Sequence, residues 1–340
     1  MFNGNVRFLK NGFHKEINSY DSFILDSNVV MKLRDLFYSP HKMNVSEVDY
    51  YIGLLEFFKD KDVVPGIAIQ ELSWDFEKFK IDFNKQTRLL NAIDTLFSYD
   101  ESTILRIKAQ QEFVGGMQPI KGGKKNFQSL ASNIDANIFL VPSFCVMLKY
   151  HHVLRNYSDN KSRYLEICNF LMNTLKLVGG YELALITELL FSLNEDRTNA
   201  INSMLKIEIE SNLLKGIWNS CWDIFFLRFI TGFAANTLSN LPTQGIFNPI
   251  LVTRDENLYR VGCSIENNSE VVLGDQVYPG IAGSFEYSNE NTEIVLKMRE
   301  VILGSSSDRV KAFDKMTEKQ REDHWLKIIK NLEIELLKVT

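Results

Sequence analysis

The period of the apolar positions changes twice along the chain. Residues 22–25 (SFIL) form a short continuous apolar run that enters Asp26-Ser27-Asn28 and continues as VVMKLRDLFY, where apolar residues recur at helical spacing. This pattern predicts strand, polar turn and helix. A further helix is predicted over 45–59, a short strand with a turn over 63–66, and an amphipathic helix over 67–79 that carries Glu71. Such alternation is that of an α/β domain. From about residue 80 to 214 strand signals stop, and only helical patterns such as RYLEICNFLMNTLKLV and YELALITELLFSL follow one another. Residues 114–127 (VGGMQPIKGGKKNF) have neither period and read as a loop. The α/β signature resumes over 249–255 (PILVTRD) and continues through alternating segments around 271–273, predicting a return to the same sheet. From 291 a helix ends near Gly304, and a charged amphipathic helix follows that reads as a packing or partner-contact tail. The organisation expected is an N-terminal half-domain over 1–80, a helical insertion over 81–214, a C-terminal half-domain over 215–285 and a helical tail over 286–340.

Composition narrows the classes. The 340 residues are 45% hydrophobic and 24% charged, which suits a large globular core and excludes a disordered or fibrous chain. With 38 Lys and Arg against 43 Asp and Glu, the net charge of -5 gives no global basic field for long nucleic acid, so any anion must be held locally. Cys145, Cys168, Cys221 and Cys263 are widely spaced, with no zinc-like Cys/His spacing, which fits a reducing cytoplasm. The first 22 residues contain no uninterrupted apolar leader, and no segment reaches the roughly 18 to 20 apolar residues that would span a bilayer.

The candidate chemistry lies in carboxylates. Two predicted strands end in an aspartate, Asp26 after FIL and Asp255 after ILVTR, and both should emerge at the carboxyl edge of a parallel sheet, where open α/β folds bind ligands. Glu71 begins a helix after a short strand, and Asp223 is expected in the opening turn of the apolar helix WDIFFLRFITGFAA, so both can face that edge. Converging carboxylates repel one another and call for a cation, and oxygen-only ligands select Mg²⁺ or Mn²⁺. Such an ion supports in-line attack of metal-bound water on a phosphodiester, with no protein nucleophile.

The motifs FILDSNVV, GIAIQEL, CWDIFF and ILVTRDENL resemble those of PIN-domain nucleases, whose acids occur in the chain order Asp, Glu, Asp, Asp. The resemblance covers about residues 20–80 and 215–275, and the last motif is the most specific. It implies a mostly parallel central sheet flanked by helices, here interrupted by a large all-helical insertion. It also implies divalent-metal-dependent hydrolysis of RNA, with Asp26, Glu71, Asp223 and Asp255 as metal ligands and catalytic residues. Asn28 and Thr253 match supporting polar positions beside the first and last acids.

Plainer readings stand beside these. Asp26 and Asp255 also suit helix caps, Glu71 a first-turn glutamate favoured by the helix dipole, and Asp223 an N-terminal helix charge, with Glu188 and Glu210 as competing third acids. Lys121, Lys124 and Lys125 offer phosphate-binding cations or a solvated surface, and Arg254 a phosphate contact or a carboxylate partner. Adjacent His151 and His152 point in different directions on a helix and do not ligate together. The functional alternatives are a non-catalytic PIN-like scaffold that binds protein or RNA, and a DNA-directed nuclease with the same metal chemistry. The size of the insertion and tail also points to a regulatory partner or a homo-oligomer.

Overall fold

The computed structural model describes residues 6–10, 21–76, 78, 80–98, 100–109, 137–177, 179–206, 213–234, 246, 248–264, 266–273, 276–282 and 286–337. The chain divides into two compact units, Met1–Asp135 with Ile230–Tyr259, and Ala136–Phe229 with Arg260–Thr340.

The first unit is built on β1 (Arg7–Lys10), β2 (Ser22–Leu25), β3 (Asp62–Val64) and β6 (Ile250–Thr253), ordered β1-β6-β2-β3. Strand β2 runs parallel to both β3 and β6, with Phe23 opposite Val63 and Ile250, whereas β1 is antiparallel to β6. Every residue of β2 and β6 is buried, as expected of parallel strands covered on both faces. Helix α1 (Ser27–Tyr38) follows β2, α2 (Val45–Phe57) leads to β3, and α3 (Gly66–Ser73) follows β3. Val29, Val30, Leu33, Leu36 and Phe37 place a 3-4 stripe of α1 in the core, against β6, α3 and α4 (Phe83–Phe97).

The sheet is therefore small and mixed within a mostly helical chain, and the α/β reading holds at that level. Helix α3 stops at Ser73 rather than continuing to 79: Trp74–Asp75 (β4) pairs with Lys80–Ile81 (β5) in a two-residue ladder. Helices α4 and α5 (Glu101–Ala109) belong to the first unit, so its boundary is not at 80. The buried face of α4, Leu89, Ala92, Ile93, Leu96 and Phe97, explains this, since α4 covers α1 and α3.

The second unit contains α6 (Asn137–Asn156), α7 (Asn160–Asn169) running into a π-helical turn (Phe170–Leu175), α8 (Gly180–Phe191), α9 (Glu195–Met204) and residues up to 229 of α10 (Leu213–Ala234). Residues 260–264 of α11 (Glu256–Ser264) also belong to it, as do β7 (Glu266–Leu273) and β8 (Gln276–Ala282). These two strands pair only with each other among the described residues, which corrects the expectation that residues 271–273 rejoin the central sheet. The expected 215–285 segment is thus shared between the units.

Helices α12 (Asn289–Gly304), α13 (Ser306–Asp314) and α14 (Glu318–Leu337) complete the second unit. Helix α14 lies along α6 and buries Trp325, Ile328, Ile329, Leu332 and Leu336. Its apolar stripe is part of the unit's core rather than an appended tail. Polar ties reinforce the pairing, with Arg155 Nη1 donating to the Leu336 carbonyl at 2.9 Å and His152 Nε2 lying 3.2 Å from Glu335.

Candidate functional site

The carboxyl ends of β2, β3 and β6 share one edge because the three strands are parallel. The chain leaves β2 toward β3 on one side, while β6 lies on the other side of β2, so the strand order reverses between β2 and β6. Crevices at such reversals bind ligands in open α/β sheets. Asp26 immediately follows β2, and Asp255 stands two residues beyond β6.

Asp26 is 2% exposed, and its backbone N–H is tied to the Val252 carbonyl at 3.0 Å. Its Oδ1 accepts the Ser27 N–H at 2.6 Å and caps α1, while its Oδ2 accepts from Asn28 Nδ2 at 2.6 Å and Thr253 Oγ1 at 2.5 Å. The Thr253 hydroxyl in turn accepts the Asp255 N–H at 2.9 Å, so one buried side chain connects both acids. Asn28, in the first turn of α1, closes the arrangement by accepting the Arg254 N–H on Oδ1 at 2.9 Å. Asp255 Oδ1 accepts the N–H groups of Asn257 and Leu258 at 2.8 and 2.9 Å, capping α11.

Burial pushes the Asp26 carboxyl up to about 6, against the lowering by the Thr253 and Ser27 hydrogen bonds, and the charge of Asp255 adds to the rise. The acid is held in a place where its charge is poorly compensated. Asp255 lines an open depression of about 410 Å³ with Arg7, Asn28, Arg254 and Glu256. Arg7 pairs with Glu256 at 2.9 Å and lies over the Tyr259 ring at 5.7 Å. The Arg254 charge reaches Glu47 and Tyr51: it helps hold the Glu47 carboxyl below its usual range, although the Lys32 hydrogen bond does more. Burial pushes the Tyr51 phenol up, and Arg254 opposes that shift.

Asp26, Asn28, Thr253, Arg254 and Asp255 are therefore brought together. Glu71 stands six residues into α3, which follows β3 at the same sheet edge and packs against α1 and β2. Its Oε2 is shielded from solvent. Asp223 departs from expectation: α10 begins at Leu213, so Asp223 is in mid-helix rather than an opening turn, on a part of the helix belonging to the second unit. The helical period of LLKGIWNSC continues unbroken into WDIFF, and Gly216 does not end it. Glu188 is engaged within the second unit, pairing with Arg197 at 3.2 Å and accepting from Tyr287 at 2.6 Å. Lys121, Lys124, Lys125 and Glu210 lie outside the described residues.

Among the described residues no group of three or more His, Cys, Asp or Glu side chains is gathered to hold a metal. The arrangement at the switch point is a pair of aspartates rather than the expected set of four.

No family model, curated protein or solved structure matches the chain.

A pair of this kind still fits one class of ion. Mg²⁺ commonly uses one or two carboxylates and completes its shell with water and substrate phosphate. The fit rests on Asp26, whose raised carboxyl would be relieved by a cation shared with Asp255. Residues missed in the sequence pattern are Arg7, which lines the depression with Asp255, and Lys32, Glu47 and Tyr51, of which Glu47 and Tyr51 feel the Arg254 charge and Lys32 pairs with Glu47. Only the register of β1 against β6 and the packing around Arg254 reveal them.

Proposed function

We propose that the first unit is a PIN-like, divalent-metal-dependent ribonuclease. The observation that carries this reading is the Asp26–Thr253–Asp255 linkage at the point where the strand order reverses, with Asp26 buried and its carboxyl raised. Asp26 and Asp255 would hold Mg²⁺ or Mn²⁺, with Glu71 available from the same edge. When bound, the ion supplies an activated water and stabilises charge on the phosphodiester oxygens. The chain's own contribution is positional. Asn28 from the first turn of α1 and Thr253 from the end of β6 fix the Asp26 carboxylate, which holds the two acids in register. Arg254 and Arg7 supply positive charge beside the depression, where a phosphate diester would lie. A DNA strand offers the same reacting group.

One observation favours a second reading, a non-catalytic scaffold: both aspartates already cap helices, α1 and α11. Cleavage separates the two. A labelled single-stranded RNA incubated with the full chain and 2 mM Mn²⁺ is expected to be cut, with EDTA, Asp26→Asn and Asp255→Asn each lowering the rate at least roughly 100-fold, since each removes stabilisation of transition-state charge. A matched DNA strand reports the substrate preference. Undiminished cutting by both variants, or none by the unaltered chain, would reject the nuclease reading.

The four cysteines are free, which suits the cytoplasmic location that we propose with this function. Among the described residues no helix is long and apolar enough to cross a membrane.

A further inference from the structure

A second depression in the first unit is lined by several cationic side chains. It has a volume of about 520 Å³ and lies between α1, the turn after it, α3 and α4. Five of its lining side chains, Lys32, Arg34, Lys42, Lys85 and Arg88, are cationic, and one, Asp35, is acidic. In a protein of net charge -5 this is a local concentration of positive charge.

Some of this charge is spent internally. Arg34 pairs with Asp35 at 2.6 Å, Lys32 with Glu47 at 3.1 Å, and Lys85 approaches Asp82 at 3.8 Å. These are exposed or half-exposed pairs, which contribute little and exchange partners at low cost. Among the described residues, neither Lys42 nor Arg88 has a carboxylate within ion-pair distance. Arg88 instead lies over the Tyr38 ring at 4.5 Å, and the Tyr38 hydroxyl donates to the Arg88 carbonyl at 3.1 Å. The groove therefore combines cations open to an anion with a fixed aromatic–guanidinium stack. Single-stranded nucleic acids are held by this combination, with phosphates on the cations and bases on planar side chains.

Position links the groove to the candidate site. Lys32 is six residues beyond Asp26 on α1, a rise of about 9 Å, and Tyr38 is twelve residues beyond, about 18 Å. Lys32 at the near end pairs with Glu47, which also feels Arg254 beside Asp255. We propose that the α1–α4 groove, through Lys42, Arg88 and Tyr38, binds the phosphates and bases of a single-stranded polynucleotide whose next phosphates reach the Asp26–Asp255 edge. This rests on the nuclease reading for the direction of the strand, though not for binding itself.

The test is fluorescence anisotropy in EDTA with labelled 12-mers of oligouridylate and oligothymidylate, using the full chain and a Lys42→Gln/Arg88→Gln variant. Both substituted positions are exposed, and an unchanged circular-dichroism spectrum and melting point verify that the fold is kept. The expected result is at least tenfold weaker binding by the variant, with the slope of log affinity against log salt shallower by about 1.4, the value for two lost phosphate contacts on a single strand. Equal affinity of the two proteins overturns the proposal, as does equally tight binding of polyglutamate. EDTA prevents metal-dependent cutting, so this assay reads binding by the groove apart from the nuclease reading. An unaltered chain that binds yet never cuts rejects the nuclease reading alone.

Discussion

Asp26→Asn is expected to stabilise the first unit at pH 8. A carboxyl raised in the folded state binds its proton more tightly there than in the unfolded chain, so its contribution is neutral below about 4 and turns unfavourable as pH rises through about 6. Two units of rise correspond to about 3 kcal/mol of destabilisation once Asp26 is ionised. Asparagine removes the charge and keeps the α1 cap, since its Oδ1 still accepts the Ser27 N–H. The amide of Asn28 then faces a second amide in place of Oδ2, which offsets about 1 kcal/mol. The expected net gain is about 1–2 kcal/mol at pH 8, shrinking to nothing or a small loss at pH 4. Hydrogen exchange of the β2 and α1 amides at both pH values measures it within this unit alone. Slower exchange in the variant at pH 8 only is the expected result, and faster exchange at pH 8 would show that the carboxylate is a structural asset there.

The second large effect concerns a buried ion pair in the second unit. Glu182, 1% exposed in the first turn of α8, accepts from Arg228 Nη2 at 2.5 Å and from the Ser143 hydroxyl. Among the described residues its Oε2 has no hydrogen-bond partner, and Gly179 leaves room for it, because a Cβ there would lie 2.6 Å from that oxygen. Arg228→Leu leaves the carboxylate buried with only the serine, at a cost of about 3–5 kcal/mol. Removing both charges in Arg228→Leu/Glu182→Leu is expected to recover most of the loss, since burying an ion pair gains little over apolar packing. Protection of the α8 amides in the three proteins tests this. Equal losses in the single and double variants would show that packing of the Arg228 stem, rather than the stranded charge, sets the cost.

These two cases differ in what a sequence can show. Asp26 and Asp255 are legible because each ends a short apolar run, and a parallel strand fixes the direction in which its terminal residue emerges. Asn28 and Thr253, within two residues of those ends, are legible through the resemblance of their motifs to those of PIN-domain nucleases. Glu182 and Arg228 are 46 positions apart, and no local period joins them. The mid-helix place of Asp223 is not legible, because a helix start is weakly marked where apolar and small residues run on, as from Leu213 into Trp222. Strand β1 carries no local signal either: its four residues, RFLK, are ordered by pairing with β6 some 240 positions away. The division into units followed long-range packing, with α4 drawn to α1 and α14 to α6, and neither partnership is encoded in spacing.

The central claim is that Asp26 and Asp255 together hold a divalent ion, and calorimetric titration of Mn²⁺ into the full chain at pH 7.5 tests it most directly. One saturable site in the unaltered protein, lost in both Asp26→Asn and Asp255→Asn and weakened as pH falls below about 6, is the predicted result. No saturable binding in the unaltered protein, or binding that survives both substitutions, would contradict it.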